Sequence, residues 1–443
     1  MTEIKQFYPK IEIAYPIAII VVSRFCCKGT TNHHFQKGIH TMFDIAVIGG
    51  GPAGMMAAIH ASKTHKVILL EKNDSLGKKL LLTGGGRCNV TNNIPIENLI
   101  SNIIGNGKFL YSAFSKFDNQ DIIQFFQSRN TPLKEEDNGR IFPVSNSSKT
   151  ILSALKQELQ KNNVSVRYHA RVIDWKVTEH HIDSLVLEDN SVIQAKNYIL
   201  ATGGMSFPHT GSNGDGYRLA QKLGHTVTDL YPSEVALTSK ESFIQAQTLK
   251  GLSLQNIELK VLNAKNKTVV TQHSDIIFTH FGISGPAALR CSGFVLKQKE
   301  REVTLSLDAL PNISKAELLH IMQAEPKKAL KNILKNYLPQ RYADFICMEY
   351  ADTKSNQLND KTLQSIIEHI KDFRFKVNGS LPIEKAFVTA GGISLKEIDP
   401  KTMKSKIIDN LYFAGEVMDI HAYTGGYNIT CAFSSGHLAG EVL

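Results

Sequence analysis

Short apolar runs separated by polar or glycine-rich segments recur along most of the chain. Two such runs, at residues 44–48 and 67–70, flank an apolar segment at 55–62, and a glycine-rich turn follows the first run. Runs of four or five apolar residues predict buried strands, and the longer segment predicts a helix. The chain from residue 44 onwards therefore predicts a β-α-β unit of a parallel sheet.

The pattern changes after about residue 234. Strand patterns fall at residues 254–270, 275–278, 303–307, 386–388 and 411–414, and helical patterns at 314–373 and 429–441. The helical stretch in the middle is rich in Lys, Gln and Leu, whereas the final helix has small residues on one side. The sequence therefore predicts an α/β fold whose character differs between its ends and its middle.

Length and composition fit a globular protein of two or three domains. The chain has 443 residues, of which 42% are hydrophobic and 21% charged, more than one small core accommodates. The net charge is +9, but no run of like charge is long enough for a nucleic-acid arm. We therefore expect a small-molecule substrate and neither a nucleic-acid nor a membrane partner, and the oligomeric state stays open.

The cysteines carry little chemistry. All six are scattered, without a C-x-x-C pair or zinc-ligand spacing. This pattern argues against a metal site, a disulfide scaffold and a dithiol–disulfide reductase. We therefore predict no metal and a reducing, cytoplasmic location.

Residues 1–41 form a separate segment. An apolar stretch at 11–22 follows Lys5 and Lys10, as in a signal peptide, but Glu12 and Pro16 interrupt it. It is shorter than the roughly 20 apolar residues that span a bilayer. Since Met42 opens a strand, we expect residues 1–41 to be an extension that is disordered or not native. A signal or anchor is the alternative.

The most informative motif is Gly49-x-Gly51-x-x-Gly54, between the first strand and the first helix. The first glycine permits a tight turn, the second lets the backbone approach a pyrophosphate, and the third lets helix and strand pack closely. Glu71 follows about 20 residues later, where it would accept a ribose hydroxyl and repel a 2′-phosphate. The unit therefore predicts a bound dinucleotide other than NADP.

Three further glycine-rich stretches are typical of backbone that meets a ligand. Residues 83–89 (TGGGRCN) form a ribbon that a flat ring or phosphate can approach, and residues 201–204 (ATGG) close a buried strand. Residues 415–416 (GE) and 424–428 (TGGYN) precede the last helix, whose positive N-terminus would stabilise the negative charge of a reduced flavin. Taken alone, each stretch could also be an ordinary loop or helix cap.

Candidates for catalysis are fewer. His280 lies in residues 279–286 (THFGISGP) and could bind substrate or transfer protons. His421 and Tyr423 lie beside the final glycines and could line the substrate side of a flavin ring. Cys88 could be redox-active, although a lone cysteine is more often inert. A structural role is the alternative for each of these residues.

As an ordered set, these stretches resemble a family of bacterial flavoproteins of the glutathione-reductase fold. Its members are described as aminoacetone oxidase-like, bile-acid dehydro-reductase-like or NAD(P)/FAD-dependent oxidoreductases, and the resemblance covers residues 42–443. It implies a Rossmann-like FAD-binding domain at 42–233 and 385–443. A β-barrel-like subdomain at 234–384, with a helical insert at about 310–375, would interrupt it. His421-Ala422 departs from the family pattern, so no family substrate is carried over.

The motifs and the resemblance together predict a set of FAD-binding residues. They are Gly49, Gly51, Pro52, Ala53, Gly54, Glu71, Lys72, Lys79, Thr83, Gly85, Gly86, Arg87, Cys88, Asn89, Val172, Ala201, Thr202, Gly203, Gly204, Gly415, Glu416, Gly425, Gly426, Tyr427, Asn428 and Ile429.

We therefore predict an FAD-dependent oxidoreductase that transfers a hydride through the flavin, with a small organic substrate of unknown identity. The sequence has no second GxGxxG after a strand, so NADH or NADPH would act only as a transient donor. Oxidase and reductase activity both stay open. One alternative is an RNA-modifying flavoprotein, with a basic segment at Lys327, Lys328, Lys331, Lys335 and Arg341 as its candidate surface. The other is a flavin-binding protein without turnover.

Overall fold

The computed structural model describes residues 42–298 and 301–443, and the prediction for residues 1–41 lies outside them. The strands are β1 (Phe43–Ile48), β2 (Val67–Leu70), β3 (Thr91–Asn92), β4 (Leu133–Glu136), β5 (Arg140–Pro143), β6 (Ser165–Arg167), β7 (Val172–Thr178), β8 (His181–Leu187), β9 (Val192–Ile193), β10 (Ala195–Leu200), β11 (Tyr231–Ser233), β12 (Leu237–Thr238), β13 (Ser253–Leu262), β14 (Thr268–Phe278), β15 (Gly282–Ser284), β16 (Val303–Asp308), β17 (Phe373–Val377), β18 (Gly379–Ser380), β19 (Val388–Ala390) and β20 (Leu411–Phe413).

The α-helices alternate with these strands. They are α1 (Pro52–Ala61), α2 (Lys78–Leu82), α3 (Ile96–Ser101), α4 (Tyr111–Phe114), α5 (Asn119–Gln127), α6 (Ser148–Lys161), α7 (Asp215–Lys222), α8 (Ser242–Gln245), α9 (Pro286–Leu296), α10 (Lys315–Ala324), α11 (Leu330–Leu334), α12 (Gln340–Cys347), α13 (Asp360–Lys371) and α14 (Tyr427–Glu441). In the part of the chain that the structure describes, none of the helices is long and apolar enough to span a membrane.

A parallel sheet of five strands, in the order β20-β10-β1-β2-β6, forms one half of the molecule. Strands β2 and β20 consist of buried apolar or aromatic residues, whereas β1, β6 and β10 also include polar residues. Helices α1 and α14 contact this sheet, and so does β8 of the three-stranded sheet β7-β8-β9. The carboxyl ends of β1, β10 and β20 lie at one edge, so the loops that follow them meet there. Three motifs far apart in the sequence are thereby brought together, at the edge where α/β sheets bind ligands.

Helices α1 and α14 pack closely because two glycines of α14 face the backbone of α1. A Cβ at Gly436 would overlap the carbonyl of Ala53, and one at Gly440 would overlap the carbonyl of Ala57. The step of four residues along α14, from Gly436 to Gly440, matches a step of four residues in the same direction along α1, from Ala53 to Ala57. The two helices therefore run parallel. From these contacts, α14 begins about 12 Å before α1 along the common axis, at 1.5 Å per residue.

The second half of the molecule contains an antiparallel sheet of seven strands, in the order β17-β16-β13-β14-β15-β12-β18. A single residue, Asn378, joins the two edge strands β17 and β18, and its N–H donates to the carbonyl of Thr238. The sheet must therefore curve back on itself, as a barrel-like sheet does. Helices α10 to α13 lie between β16 and β17 in the sequence and pack against the sheet's core.

Two hydrophobic cores correspond to the two sheets. One includes Ile45 and Phe413, and the other includes Leu259 and Phe375. The pair β11–β19 links the chain where it leaves the first core and where it returns. Residues Thr41–Leu443 nevertheless form one compact unit, so the boundaries at 233/234 and 384/385 stay a prediction.

Candidate functional site

A cavity of about 810 Å³ opens at the carboxyl edge of the parallel sheet and extends to the antiparallel sheet. Most of the predicted FAD-binding residues line it: Gly49, Gly51, Pro52, Ala53, Glu71, Lys72, Lys79, Thr83, Gly85, Arg87, Asn89, Val172, Ala201, Thr202, Gly203, Gly415, Glu416, Gly425, Gly426, Tyr427, Asn428 and Ile429. Four others do not line it: Gly54, Gly86, Cys88 and Gly204.

The first glycine motif forms the turn from β1 into α1. Gly49 has φ +107°, and a Cβ there would overlap the carbonyl of Ala201. Gly51 has open space where a Cβ would lie, whereas a Cβ at Gly54 would overlap the carbonyl of Gly49. Gly54 is therefore needed for helix–strand packing and Gly51 for access to a ligand. Helix α1 has neither a side-chain cap nor an acidic residue in its first turn, which leaves its N–H groups free for a phosphate.

Glu71 is fixed beside this turn. One of its carboxylate oxygens accepts the Gly50 N–H at 2.8 Å, and the other accepts the backbone and side-chain N–H groups of Asn73 at 2.8 and 2.7 Å. A carboxylate has about four acceptor positions, so these bonds leave capacity for a ribose hydroxyl. The side chain is buried and lines the cavity.

Two lysines of the cavity wall form ion pairs within the protein. Lys72 Nζ lies 2.7 Å from Asp215, which Arg171 also contacts at 3.1 Å. Burial, followed by the charge of Arg171, lowers the pKa of Lys72 to about 8. Lys79 Nζ lies 2.8 Å from Glu416, whose other oxygen accepts the Thr389 N–H. These pairs connect loops from both ends of the sequence around the cavity.

Residues 83–89 form a ribbon with left-handed backbone at Gly84, Gly85 and Gly86. Gly85 has open space around the position of a Cβ. Asn89 is buried, and its Oδ1 has no hydrogen-bond partner among residues 42–298 and 301–443. Arg87 pairs with Glu136 at 2.9 Å and lies over the ring of Phe142. The ribbon therefore presents backbone and one unpaired amide oxygen to a ligand.

Cys88 is completely buried under this ribbon, and burial raises the pKa of its thiol to about 12. At pH 8 only about one thiol in 10⁴ would be ionised, and the thiolate is the reactive form. We expect Cys88 to stay unlabelled by a thiol-specific maleimide in the native protein and to react after denaturation. Peptide mapping by mass spectrometry checks this. Rapid native labelling of Cys88 would contradict it and restore the redox-active interpretation.

The loop before α14 is held in place by Glu234, a buried acid at the start of the predicted subdomain 234–384. Glu234 Oε2 accepts the Thr424 N–H at 3.0 Å and its hydroxyl at 2.7 Å, and burial raises the pKa of Glu234. Asn92 donates to the carbonyl of Gly425 at 3.0 Å. Helix α14 has no side-chain cap and no acid in its first turn. The N–H groups of its first turn therefore face the cavity without a hydrogen bond to a capping side chain and without a nearby acid in that turn.

The three candidates for catalysis lie outside the cavity lining. His280 is exposed in the turn between β14 and β15. His421 is buried against Gly105 and Tyr231, and burial lowers its pKa to about 4. Tyr423 is buried, and its hydroxyl accepts from Gln272 at 3.1 Å. Their catalytic roles stay predictions.

Sequence reasoning missed the far end of the cavity. Asn256, Ser274, Asp275 and Arg290 line it from β13, β14 and α9. They share no motif, and α9 itself was not predicted. The available signal was Gly285-Pro286, because a proline in the first turn after a strand is typical of a helix start.

The residues present fit FAD. Gly51 and the N-terminus of α1 would hold the pyrophosphate, Glu71 a ribose, and the N-terminus of α14 the ring system. The offset of about 12 Å between the two helix starts separates a phosphate site from a ring site. Two buried polar atoms of the lining, Asn89 Oδ1 and Thr202 Oγ1, lack partners in the described residues, as expected where a polar ligand supplies them.

Comparison with known protein families settles the broad class. A family described as "HI0933-like protein Rossmann domain" matches residues 43–442. The chain belongs to this HI0933-like family. The predicted family resemblance, the α/β fold with a Rossmann-like FAD-binding domain and the assignment as an FAD-dependent oxidoreductase are therefore confirmed.

Two relatives of the HI0933-like chain match it over almost their whole length. A ribosomal RNA dihydrouridine synthase of Escherichia coli (strain K12) is 31% identical over 399 residues, which cover 89% of this chain and 96% of that protein. A 3-dehydro-bile acid delta(4,6)-reductase of Clostridium scindens is 27% identical over 412 residues, which cover 90% and 98%. Among solved structures, the open conformation of a flavocytochrome c3 fumarate reductase has a TM-score of 0.49 and 17% identity, covering 90% of this chain and 78% of that one.

Proposed function

We propose that this HI0933-like protein is a reductase that saturates a carbon–carbon double bond conjugated to a carbonyl group. We further propose that the double bond belongs to a uracil base in RNA. Dihydrouridine is uridine with a saturated C5–C6 bond, and C6 is the position to which the C4 carbonyl directs a hydride. A delta(4,6)-reductase of a 3-oxo steroid performs the same kind of addition. The two relatives named above therefore suggest one reaction class with two substrate classes.

The observation that carries the RNA assignment is the 31% identity to the dihydrouridine synthase over 96% of its length. The geometry supports a second planar ligand, because the cavity continues beyond the glycine loops to polar residues of β13, β14 and α9. A base must leave its stack to reach such a pocket, and RNA is commonly recognised through unstacked bases.

Bound FAD would supply the hydride through its N5 atom, with NADH or NADPH as the proposed electron donor, and solvent water would supply the proton that C5 gains. The protein's own groups orient the reactants and hold the charge that develops. The uncapped N-terminus of α14 would stabilise negative charge on the ring system. Arg290 of α9, which also lines the cavity, offers a cation to the oxygen of the conjugated carbonyl.

Part of the basic segment suggested by the sequence is engaged in contacts within the protein. Lys328 pairs with Glu325, Lys331 pairs with Asp352, and Arg341 donates to the carbonyl of Lys250. If RNA binds, its phosphates are therefore expected to contact another surface as well.

The test uses the full-length, FAD-loaded protein and ribosomal RNA from an Escherichia coli strain that lacks its own ribosomal RNA dihydrouridine synthase. After anaerobic reduction with NADH, NADPH or dithionite, addition of this RNA should reoxidise the flavin and convert one uridine to dihydrouridine, detected by nucleoside mass spectrometry. If only a 3-oxo-delta(4,6) bile acid reoxidises the flavin and gains two hydrogens, the reaction class stands and the RNA assignment is wrong. Reoxidation by neither substrate contradicts both.

A further inference from the structure

The charged residues that line the cavity fall into two groups. Of the seven lysines and arginines that line the cavity, five have a carboxylate partner: Lys72 and Arg171 pair with Asp215, Lys78 with Asp74, Lys79 with Glu416, and Arg87 with Glu136. Arg140 donates to the carbonyl of Asp137 instead. These pairs neutralise the wall and fix the loops relative to one another. Residues paired in this way stabilise the cavity wall and have little capacity left to recognise a ligand.

The end formed by β13, β14 and α9 is different. Within residues 42–298 and 301–443, Arg290 makes no ion pair or hydrogen bond, and its buried Nε lacks a partner. Its guanidinium lies 5.6 Å from the centre of the Tyr423 ring, which limits its motion. Asp275 uses one oxygen to accept the Asn256 N–H at 2.9 Å, and its other oxygen has no partner in the described residues. The side-chain amide of Asn256 is also unpaired there.

These residues come together through packing of three elements. Gly285, the residue before α9, lies against the Asp275 backbone, since a Cβ there would be 3.0 Å from the Asp275 carbonyl oxygen. Arg290 lies just over one turn along α9 from this point. Asn256 sits beside Asp275 at an irregularity of the β13–β14 pairing and has φ +51°. A β-bulge of this kind turns a side chain toward a new direction.

We propose that Arg290, Asp275 and Asn256 recognise the imide edge of a uracil base, an inference that rests on the proposed function. That edge presents a carbonyl, an N–H and a second carbonyl, so it needs a donor, an acceptor and a donor in return. Arg290 donates to one carbonyl oxygen, Asp275 accepts the N3–H, and the Asn256 amide donates to the other. Pro286 and Leu289, which line the same end, contact the face of the ring.

This arrangement selects uracil over cytosine. Cytosine has a lone pair at N3, which would face the Asp275 carboxylate, and an amino group where Arg290 needs an acceptor. A steroid ketone has no N–H to donate. Asp275 therefore distinguishes a uracil substrate from the other conjugated carbonyl compounds, whereas Arg290 would serve both.

The test compares Asp275→Asn and Arg290→Lys with the wild type, and with Asp189→Asn as a matched control on an exposed aspartate between β8 and β9. Each full-length protein is loaded with FAD and reduced. Single-turnover reoxidation is then followed with the ribosomal RNA described above and, separately, with oxygen. We expect Asp275→Asn to slow the RNA-dependent rate about 10- to 100-fold, with oxygen-dependent reoxidation and FAD content unchanged. Arg290→Lys should keep part of the rate, since a cation remains.

A wild-type protein that makes no dihydrouridine overturns the proposed function and this inference together. A wild-type protein that makes it, with Asp275→Asn equally fast, overturns the inference alone. Equal slowing by Asp275→Asn with RNA and with oxygen also overturns it, because the effect would then lie on the flavin and not on the base.

Discussion

Replacing Gly436 with alanine is expected to lower the free energy of unfolding by about 1–3 kcal/mol and to weaken FAD retention. The Ala53 carbonyl occupies the space that the new methyl group needs. Backbone cannot rotate away as a side chain can, so α14 must separate from α1. Since α14 carries one part of the cavity and α1 another, the separation also disturbs the site. The double variant with Gly440→Ala should lose more than either single variant.

Gly293→Ala is the matched control. Gly293 also lies inside a helix, but its nearest neighbours would be 3.7 and 3.9 Å from a Cβ, which is ordinary contact. Alanine is the better helix former by up to about 1 kcal/mol, so this variant should be neutral or more stable. Thermal unfolding with and without excess FAD, and the flavin content after desalting, measure both effects. Equal behaviour of Gly436→Ala and Gly293→Ala would contradict the proposed role of the helix contact.

Acidification from pH 7 to about 5 is expected to lower the free energy of unfolding by about 3–4 kcal/mol through the buried His437 and the half-buried His60. His60 and His437 lie between α1 and α14 with ring centres 4.0 Å apart, and His437 stacks on Phe117. Burial lowers the pKa of His60 to about 2 and that of His437 to about 4. Nearby Lys63, 3.2 Å from His60, also opposes a second positive charge.

The direction follows from proton uptake on unfolding. Both rings are neutral in the folded protein but protonate near pH 6.5 in the unfolded chain. Their contribution is therefore fully present above about pH 6.5 and is lost as the pH falls toward 4. Each contributes up to about 2 kcal/mol at pH 5. His437→Gln should remove about one proton from the slope of stability against pH, and His320→Gln, at an exposed position on α10, is the matched control. An unchanged slope in His437→Gln would contradict the assignment.

The glycine loops at one end of the cavity could be predicted from the sequence because their requirements are local. A turn such as Gly49 to Gly54 needs glycine at fixed spacing: Gly49 and Gly54 each have a separate steric reason in the structure, whereas Gly51 leaves space for a ligand. Glu71 follows at a distance set by one helix and one strand. Such constraints act within one β-α-β unit, so they leave a pattern in consecutive residues.

The end of the cavity lined by β13, β14 and α9 could not be predicted in the same way. Asn256, Asp275 and Arg290 come from three elements, and their proximity depends on the curvature of the antiparallel sheet and on an irregular strand pairing. Neither feature has a sequence pattern of its own. His280 and His421 are candidates for catalysis because of their chemistry, yet neither residue lines the cavity. Residue type indicates possible chemistry, whereas position comes from long-range packing.

The dependence of the cavity on both α1 and α14 also sets an order of events during synthesis. The strand and helix that bear the first glycine motif leave the ribosome early, but α14 follows only after residues 62–426 have been translated. Until then the backbone of Ala53 and Ala57 lacks its covering helix, and the loop of Gly425 and Gly426 does not exist. FAD therefore cannot guide the folding of the nascent chain through its complete site. Its insertion into the complete site must follow the synthesis of α14, and the earlier part of the chain has to avoid aggregation without it.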